Sequence, residues 1–549
     1  MEKISASVIE EAAYRLLANT GTKYPKNYLE KLVAHFKKET NSGAKSVLAS
    51  ILQNIIYAVE EPASLCQDSG VPAFHVYLNP AVSIEGDIEK ALTEATVRAT
   101  EDVPIRKNVI EPFTFENLGN NTGWGVPFIY YHYESRPGPM RLRAELKGFG
   151  GEIKNTADWV FTSTESMEDA VLSYVLHNVI LSKGEGCIPG LLGVGVGGYT
   201  SEAAANAKNA VFRELTEKQT SEDNDEFISR LEQRIYRCVN KLGLGPMGSG
   251  GDTTTLGVYL EKRGTQTAAA PISVCQQCWA SRASEALLTE DKTDYITPHL
   301  EKEDLPEIEA LLSSELSSEA GGKVYRFETP VSTEDILKLK VGDVVYVSGT
   351  ITTARDGAHR RMVDLVRSGE HKKIPKEILD SGAIYHAGPV ISKTPEGWCI
   401  NSAGPTTSSR FTDEAAILIE NNIINFIVGK GTLGPPAIKS IKGKGVFLKA
   451  VGGCAVTYKR CILGNKVEWL DLGFPEAAWI LKVKDFGPLV VGIDAEGNSL
   501  VDNVLETVHE KAREIYREEG LDPNKRYIQY PQTFAGLSLE EVIEKQKKG

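Results

Sequence analysis

The chain predicts an α+β protein of 549 residues, with a helix-rich N-terminal domain and a smaller C-terminal β/α domain. Three observations carry this. The length exceeds what one ordinary core organises, so two or three domains are expected. Residues 1–285 place apolar side chains near the helical period, between glycine-rich connectors. After a polar, acidic stretch at 286–324 the pattern turns to short β-branched runs, so residues 325–549 read as the second domain with a C-terminal tail.

In chain order, SVIEEAAYRLLANT, AKSVLASILQNIIYAVEE, EDAVLSYVLHNVILSKG and DEFISRLEQRIYRCVNKLG predict helices. In the last, Phe227, Leu231, Ile235, Val239 and Leu242 form one stripe, with Cys238 beside it. Glycine-rich connectors follow at Gly148–Gly151, Gly193–Gly198 and Gly245–Thr255. The connecting stretch allows one short helix around Leu305–Leu316. Beyond it, KVYRFETPV, DVVYVSGTITTA, GAIYHAGPV, FIVGKGT and PLVVGIDAEG predict strands, with FTDEAAILIENNI a helix among them. The tail from Glu506 starts helical and ends in the charged EEVIEKQKKG.

Lys plus Arg number 61 against 74 acidic residues, a net charge of −13. That balance disfavours binding to nucleic acid or an anionic membrane, and it obliges any anionic substrate to find a locally positive pocket. The N-terminus lacks the pattern of a secretion signal, and no apolar run reaches the roughly 20 residues of a spanning helix. Eight cysteines at this length form no disulfide framework. The expected setting is reduced and cytoplasmic.

Two glycine motifs hint at nucleotides and fail on inspection. In GVGVGG the strand–turn–helix context and downstream acid of a dinucleotide site are not evident. From Gly245 to Gly250 the spacing is that of a P-loop, yet Gly251 and Asp252 stand where lysine and Ser/Thr belong. The cysteines carry more. Cys66, Cys187, Cys275 and Cys278 sit at loop-like junctions, whereas Cys238, Cys399, Cys454 and Cys461 read as small packing groups. Cys275-x-x-Cys278 alone is compatible with a redox pair or half a zinc site, but no second half accompanies it. Thiolates also ligate iron–sulfur clusters, and spacing alone does not choose among these.

CQDSG, the glycine-flanked Cys187, GPMGSGGDTTTLGVYLE and CWASR resemble the α half of the tartrate/fumarate hydro-lyase family, to which the class I fumarases belong. SGTITTARDGAHRRM, IYHAGPV, AGPTTSSRF and the Lys430 segment resemble its β half, in the same order, so the chain looks like the fused form. The resemblance implies a [4Fe–4S] cluster with one open iron, bound by Cys66, Cys187 and Cys278, with Cys275 a neighbour. It implies that Arg106, Arg355, Arg410 and Lys430 bind a small dicarboxylate, with Gln67 and the backbone near Gly150 as neutral donors. Arginine forks suit carboxylates because they bind them bidentately and stay protonated. Asp68 and Thr406 match the family's acid/base positions, and Arg355 would act on the reacting substrate. His359 beside Arg355 would orient that loop or serve structure alone. The resemblance further implies a C-terminal domain that swivels against the cluster domain, and a homodimer.

Two departures bear on the substrate. Gln266 stands about where family members often have a histidine, and Phe149 interrupts a run that is commonly all glycine. The expected reaction is reversible hydration of fumarate to L-malate. The alternatives are dehydration of L-tartrate to oxaloacetate and hydration of mesaconate. A non-catalytic iron–sulfur sensor is the reading from a different class, and it predicts losses among Asp68, Thr406 and the arginines, all of which are present.

Overall fold

The computed structural model describes residues 2–61, 63–161, 166–213, 226–315, 322–395, 397–525 and 527. Helices and sheets are mixed throughout, which is the α+β class. The four predicted front helices form as Ala6–Thr22, Ser42–Glu60, Met167–Ser182 and Glu226–Lys241. Besides the parallel pair Glu2–Ser5 and Val82–Glu85, the front half holds two larger sheets that helical periodicity did not reveal. One runs, in spatial order, Thr293–Tyr295, Arg282–Leu288, Met140–Lys147, Val71–Leu78 and Phe128–Tyr133. Helix Ala6–Thr22 lies on it through Ile9, Leu16 and Leu17, against Phe74, Val76, Leu142 and Ala144.

The second front sheet orders Thr156–Phe161, Ala269–Gln276, Leu191–Val196 and Gly257–Lys262. Here GVGVGG finds its physical reason. A Cβ on Gly193 would stand 1.9 Å from the Ala207 carbonyl oxygen, and one on Gly195 would stand 2.0 Å from that of Ala203. The segment is thus a strand that turns into helix Thr200–Ala210, which the sequence did not make evident, and its glycines let that helix lie directly on the strand, a packing role.

In the back half, Val344–Thr353, Ala383–Tyr385, Phe426–Gly429 and Val446–Ala450 pair in parallel. The long strand Ala478–Ile493 pairs antiparallel with both the first and the last of them, which closes the sheet on itself. Two further strands, Val324–Glu328 and Ile462–Glu468, extend this sheet by pairing with Val344–Thr353 and Ala478–Ile493. Asp356–Arg367, Thr412–Glu420 and Pro435–Ile441 pack outside it through Ala358, Met362, Ala415, Leu418 and Ala437.

The two halves are stitched together. Asn54 accepts from the amides of Val456 and Thr457 at 3.0 Å each, and its own amide donates to the Leu65 carbonyl at 3.0 Å. Helix Leu500–Glu518 returns to the front half, where Val501, Leu505 and Val508 share a core with Leu231, Ile235 and Val239. Of the predicted stripe, Phe227 stays partly exposed. The end of the charged tail lies outside the described residues.

Candidate functional site

Loops between elements converge on one cavity of about 670 Å³. Its wall includes Cys66, Gln67, Asp68, Arg106, Gly150, Cys187, Cys278, Arg355, Thr406, Arg410 and Lys430, so it gathers every residue singled out for ligation, binding or proton transfer. Cys66, Gln67 and Asp68 lie in the coil between helix Ser42–Glu60 and strand Val71–Leu78. Cys187 follows helix Met167–Ser182 with φ of 58°, a left-handed turn that aims its sulfur inward. Cys278 leaves the end of strand Ala269–Gln276. The back half adds Arg355 at the start of helix Asp356–Arg367, Thr406 in the coil after strand Gly397–Ser402, Arg410 in the 3-10 helix Ser408–Phe411, and Lys430 past strand Phe426–Gly429.

The three thiols are buried, at 6 %, 5 % and 8 % exposure for Cys66, Cys187 and Cys278. Each sulfur already accepts a hydrogen bond: from the Asp68 amide at 3.4 Å, from Lys430 Nζ at 3.1 Å and from the Ala280 amide at 3.2 Å, respectively. The environments pull the thiols apart. Burial and then the Asp68 charge push Cys66 up to about 12. The neighbouring Cys278 thiol, with Lys430 beside it, draws Cys187 below the ordinary thiol value against its own burial. Cys278 rises in return, from that same contact and from burial. Burial opposes the Lys430 ammonium, but the Cys187 sulfur outweighs it and holds the pKa above its ordinary value. Among the described residues no three His, Cys, Asp or Glu converge as a single-ion site. Ligands of a multi-iron cluster bind different irons and need not share one point.

The polar wall is held from behind. Gln67 Nε2 donates to the Pro405 carbonyl at 3.0 Å, across the two halves. Asp68 accepts from the Gly150 amide at 3.4 Å and pairs with Arg106 at 3.6 Å. Arg355 pairs with Glu476 at 3.3 Å, and Arg410 donates to Asp356. Thr406 is pinned by its amide to the His386 carbonyl at 2.7 Å, and its own carbonyl accepts from the Lys430 amide at 3.2 Å. His359 Nδ1 bonds the Arg355 carbonyl at 2.9 Å, so this histidine orients the loop through its ring rather than by entering the cavity. Four cations against one carboxylate, Asp68, line the wall. This is the locally positive pocket that an acidic protein needs to hold a dianion.

Several features escaped the sequence reading. Cys275 accepts from Lys147 Nζ at 3.0 Å, and that lysine also holds Glu152 at 2.6 Å, clamping the Gly148–Gly151 turn to the strand before Cys278. An apolar rim of Ile110, Phe115, Trp124, Val126 and Phe128 joins Phe149 at the mouth, with no motif to mark it. Gln266 is exposed and does not line the cavity; its side chain caps the Ala268 amide at 2.6 Å. Cys399 is exposed, which the packing expectation did not foresee, while Cys238 and Cys454 are buried as packing groups.

The family model described as "Fumarate hydratase (Fumerase)" matches residues 10–287, and "Fumarase C-terminus" matches residues 296–504. A protein of Geobacillus stearothermophilus, provisionally named fumarate hydratase class I, is 33% identical over 91% of this chain and 97% of its own length. Two Methanocaldococcus jannaschii proteins, provisionally named L(+)-tartrate dehydratase subunits alpha and beta, match successive parts. The alpha protein is 34% identical over 51% of this chain and 95% of its own length; the beta protein is 42% identical over 34% and 95%. One chain thus spans what those relatives divide between two subunits. With both family regions matched in order, and a relative aligned almost end to end, the chain belongs to the fumarate hydratase (fumerase) family and is a hydro-lyase.

Proposed function

We propose that the chain reversibly hydrates fumarate to L-malate, with a [4Fe–4S] cluster bound by Cys66, Cys187 and Cys278. The observation that carries this is the cavity itself, with three buried thiols on one side and four cations reaching in from both halves. The donor set fits the cluster: three sulfurs suited to iron, with Lys430 at 3.1 Å from one of them to offset thiolate charge. A Cβ on Gly452 would stand 2.7 Å from the Cys187 sulfur, so the backbone is kept clear of it there. When bound, a cluster with one iron left without a protein ligand supplies a Lewis acid for a substrate hydroxyl.

The chain's own residues supply the rest. Arg106, Arg355, Arg410 and Lys430 bind the two carboxylates and stabilise the charge that builds on one of them as the adjacent carbon gains or loses a proton. Gln67 and the Gly150 amide add neutral donors. Asp68 and Thr406 are the groups positioned to hold and pass protons, and Arg106 stands 3.6 Å from the Asp68 carboxylate. Phe149 and the apolar rim limit water at the mouth.

The same reading takes residues 1–285 as the cluster domain, 286–324 as the linker and 325–549 as a domain that swivels to open the cavity. It includes a homodimer in a reduced cytoplasmic setting. Support for the dimer is an exposed edge strand, Phe128–Tyr133, where Phe128, Tyr130, Tyr131 and Tyr133 are 40%, 42%, 48% and 73% exposed. Edges of this kind are normally covered. Among the described residues no helix is long and apolar enough to cross a membrane.

The test is anaerobic purification and cluster reconstitution, then turnover of fumarate, mesaconate and L-tartrate before and after air exposure. Fumarate-selective activity, lost in air and restored by iron and sulfide, is the expected result. Activity on L-tartrate or mesaconate alone would reassign the substrate, and full activity without iron would overturn the mechanism.

A further inference from the structure

We propose that Arg282 is a positioning residue that serves as the buried counter-cation of the cluster-binding thiolates and sets the reduction potential of the group they hold. This rests on the iron–sulfur reading above. Arg282 opens strand Arg282–Leu288 and is 1 % exposed. Its Nε donates to the Thr20 carbonyl and its Nη1 to the Ala280 carbonyl, both neutral acceptors. Among the described residues no carboxylate pairs with it, and the ionisable groups that act on it are Cys66, Cys278 and the phenol of Tyr24.

Other buried cations show how unusual this is. Arg143 has Glu145 at 2.8 Å, and Lys147 has Glu152 at 2.6 Å. Among the described residues buried Lys449 donates to the Met247 carbonyl at 3.1 Å and the Ser249 hydroxyl at 3.3 Å, and burial, only partly offset by Glu185, drives its pKa down to about 8, so it can shed its proton. A guanidinium cannot take that route, and an uncompensated buried charge is strongly unfavourable. Arg282 therefore needs an anion nearby, and the thiolates of Cys66 and Cys278 are the candidates within its field.

A through-bond connection supports the assignment. Arg282 donates to the carbonyl of Ala280, whose own amide donates to the Cys278 sulfur at 3.2 Å. The cation thus faces one ligand through a residue whose amide already stabilises negative charge on that sulfur. Net charge and hydrogen bonding to the sulfurs are the levers that set a cluster's potential. Adding an electron makes the thiolate-bound group more negative, so a fixed cation favours the reduced state and its loss lowers the midpoint.

The experiment uses the full chain, reconstituted without oxygen, as parent, Arg282→Lys and Arg282→Gln. Glutamine keeps a neutral donor; lysine keeps the charge. Midpoints come from redox titration followed by electron paramagnetic resonance, with iron and sulfide content checked in each. The expected result is a lower midpoint in Arg282→Gln and a parent-like one in Arg282→Lys. Equal midpoints in all three loaded proteins would overturn the proposal and leave Arg282 as a tie between two carbonyls. If a variant fails to retain iron, thermal unfolding of the iron-free proteins decides. Iron-free Arg282→Gln should melt no lower than the iron-free parent, because an unmatched charge has gone, and a clear drop there would overturn the proposal. A parent that binds no cluster would instead sink the iron–sulfur reading itself.

Discussion

His359→Phe should change the sign of its stability effect with pH. The imidazole is fully buried, lies parallel to the Phe411 ring at 4.7 Å and uses Nδ1 to bond the Arg355 carbonyl at 2.9 Å, while among the described residues its Nε2 has no hydrogen-bond partner. Burial holds it neutral, with its pKa moved from 6.5 to about 4. Because the folded pKa is the lower one, the unfolded chain binds the extra proton between those values, and stability falls as pH drops below about 6.5. The slope is about 1.4 kcal/mol per pH unit for one group, so roughly 3 kcal/mol is lost by pH 4.5. Phenylalanine keeps the stack and forfeits one hydrogen bond, worth about 0.5–1.5 kcal/mol. In urea unfolding of iron-free protein, the variant should be weaker by about that amount at pH 7.5. At pH 4.5 it should be stronger than the parent by about 1–2 kcal/mol, since other acid-sensitive groups are common to both proteins. A deficit of equal size at both pH values would refute a neutral, solvent-excluded His359.

Lys430→Met should cut fumarate hydration by about 10²–10³-fold in initial-rate assays, the usual cost of removing a buried stabilising donor. In iron-free protein the same change should move the pH midpoint of Cys187 alkylation upward, and an unmoved midpoint would remove Lys430 from that thiol's environment. Replacing Cys66, Cys187 or Cys278 by serine should abolish retention of iron and sulfide. Cys275→Ser should retain both, and a cluster lost in Cys275→Ser alone would reverse the ligand assignment. Gly429→Ala should destabilise the fold by about 1–3 kcal/mol in thermal or urea unfolding, because its Cβ would stand 1.9 Å from Ser408 Oγ and 3.0 Å from His386 Nδ1.

What the sequence made legible follows the range of its signals. Long amphipathic helices such as Ser42–Glu60 declare themselves by local period, and short glycine-bounded motifs place Cys66, Arg355 and Lys430. The front sheets stayed hidden because strands buried on both faces do not alternate: Leu191–Val196 is apolar or glycine throughout, and its buried face is set by helix Thr200–Ala210. The Lys147–Cys275–Glu152 clamp joins residues 128 apart and five apart, and no local pattern encodes the first of these. Gln266 was marked by position in a motif, yet its loop carries it away from the cavity wall, since motif distance along the chain is not distance in space.

The same contrast explains how a chain of net charge −13 can present a cationic cavity. Many surface lysines and arginines pair with neighbouring carboxylates, as in Arg361 with Asp471 at 2.6 Å, and such pairs project little field into the interior. At the site the rule changes. Arg355 and Arg410 keep carboxylate partners that brace them from outside the cavity. Lys430 meets a sulfur instead, and Arg282 has two carbonyls and the thiols beyond them. Buried cations left without carboxylates are costly on their own, so their clustering around three cysteines is an electrostatic demand for an anion in that place. On the proposed reading two anions meet it: the thiolates that would hold the cluster, and the dicarboxylate that would enter the cavity.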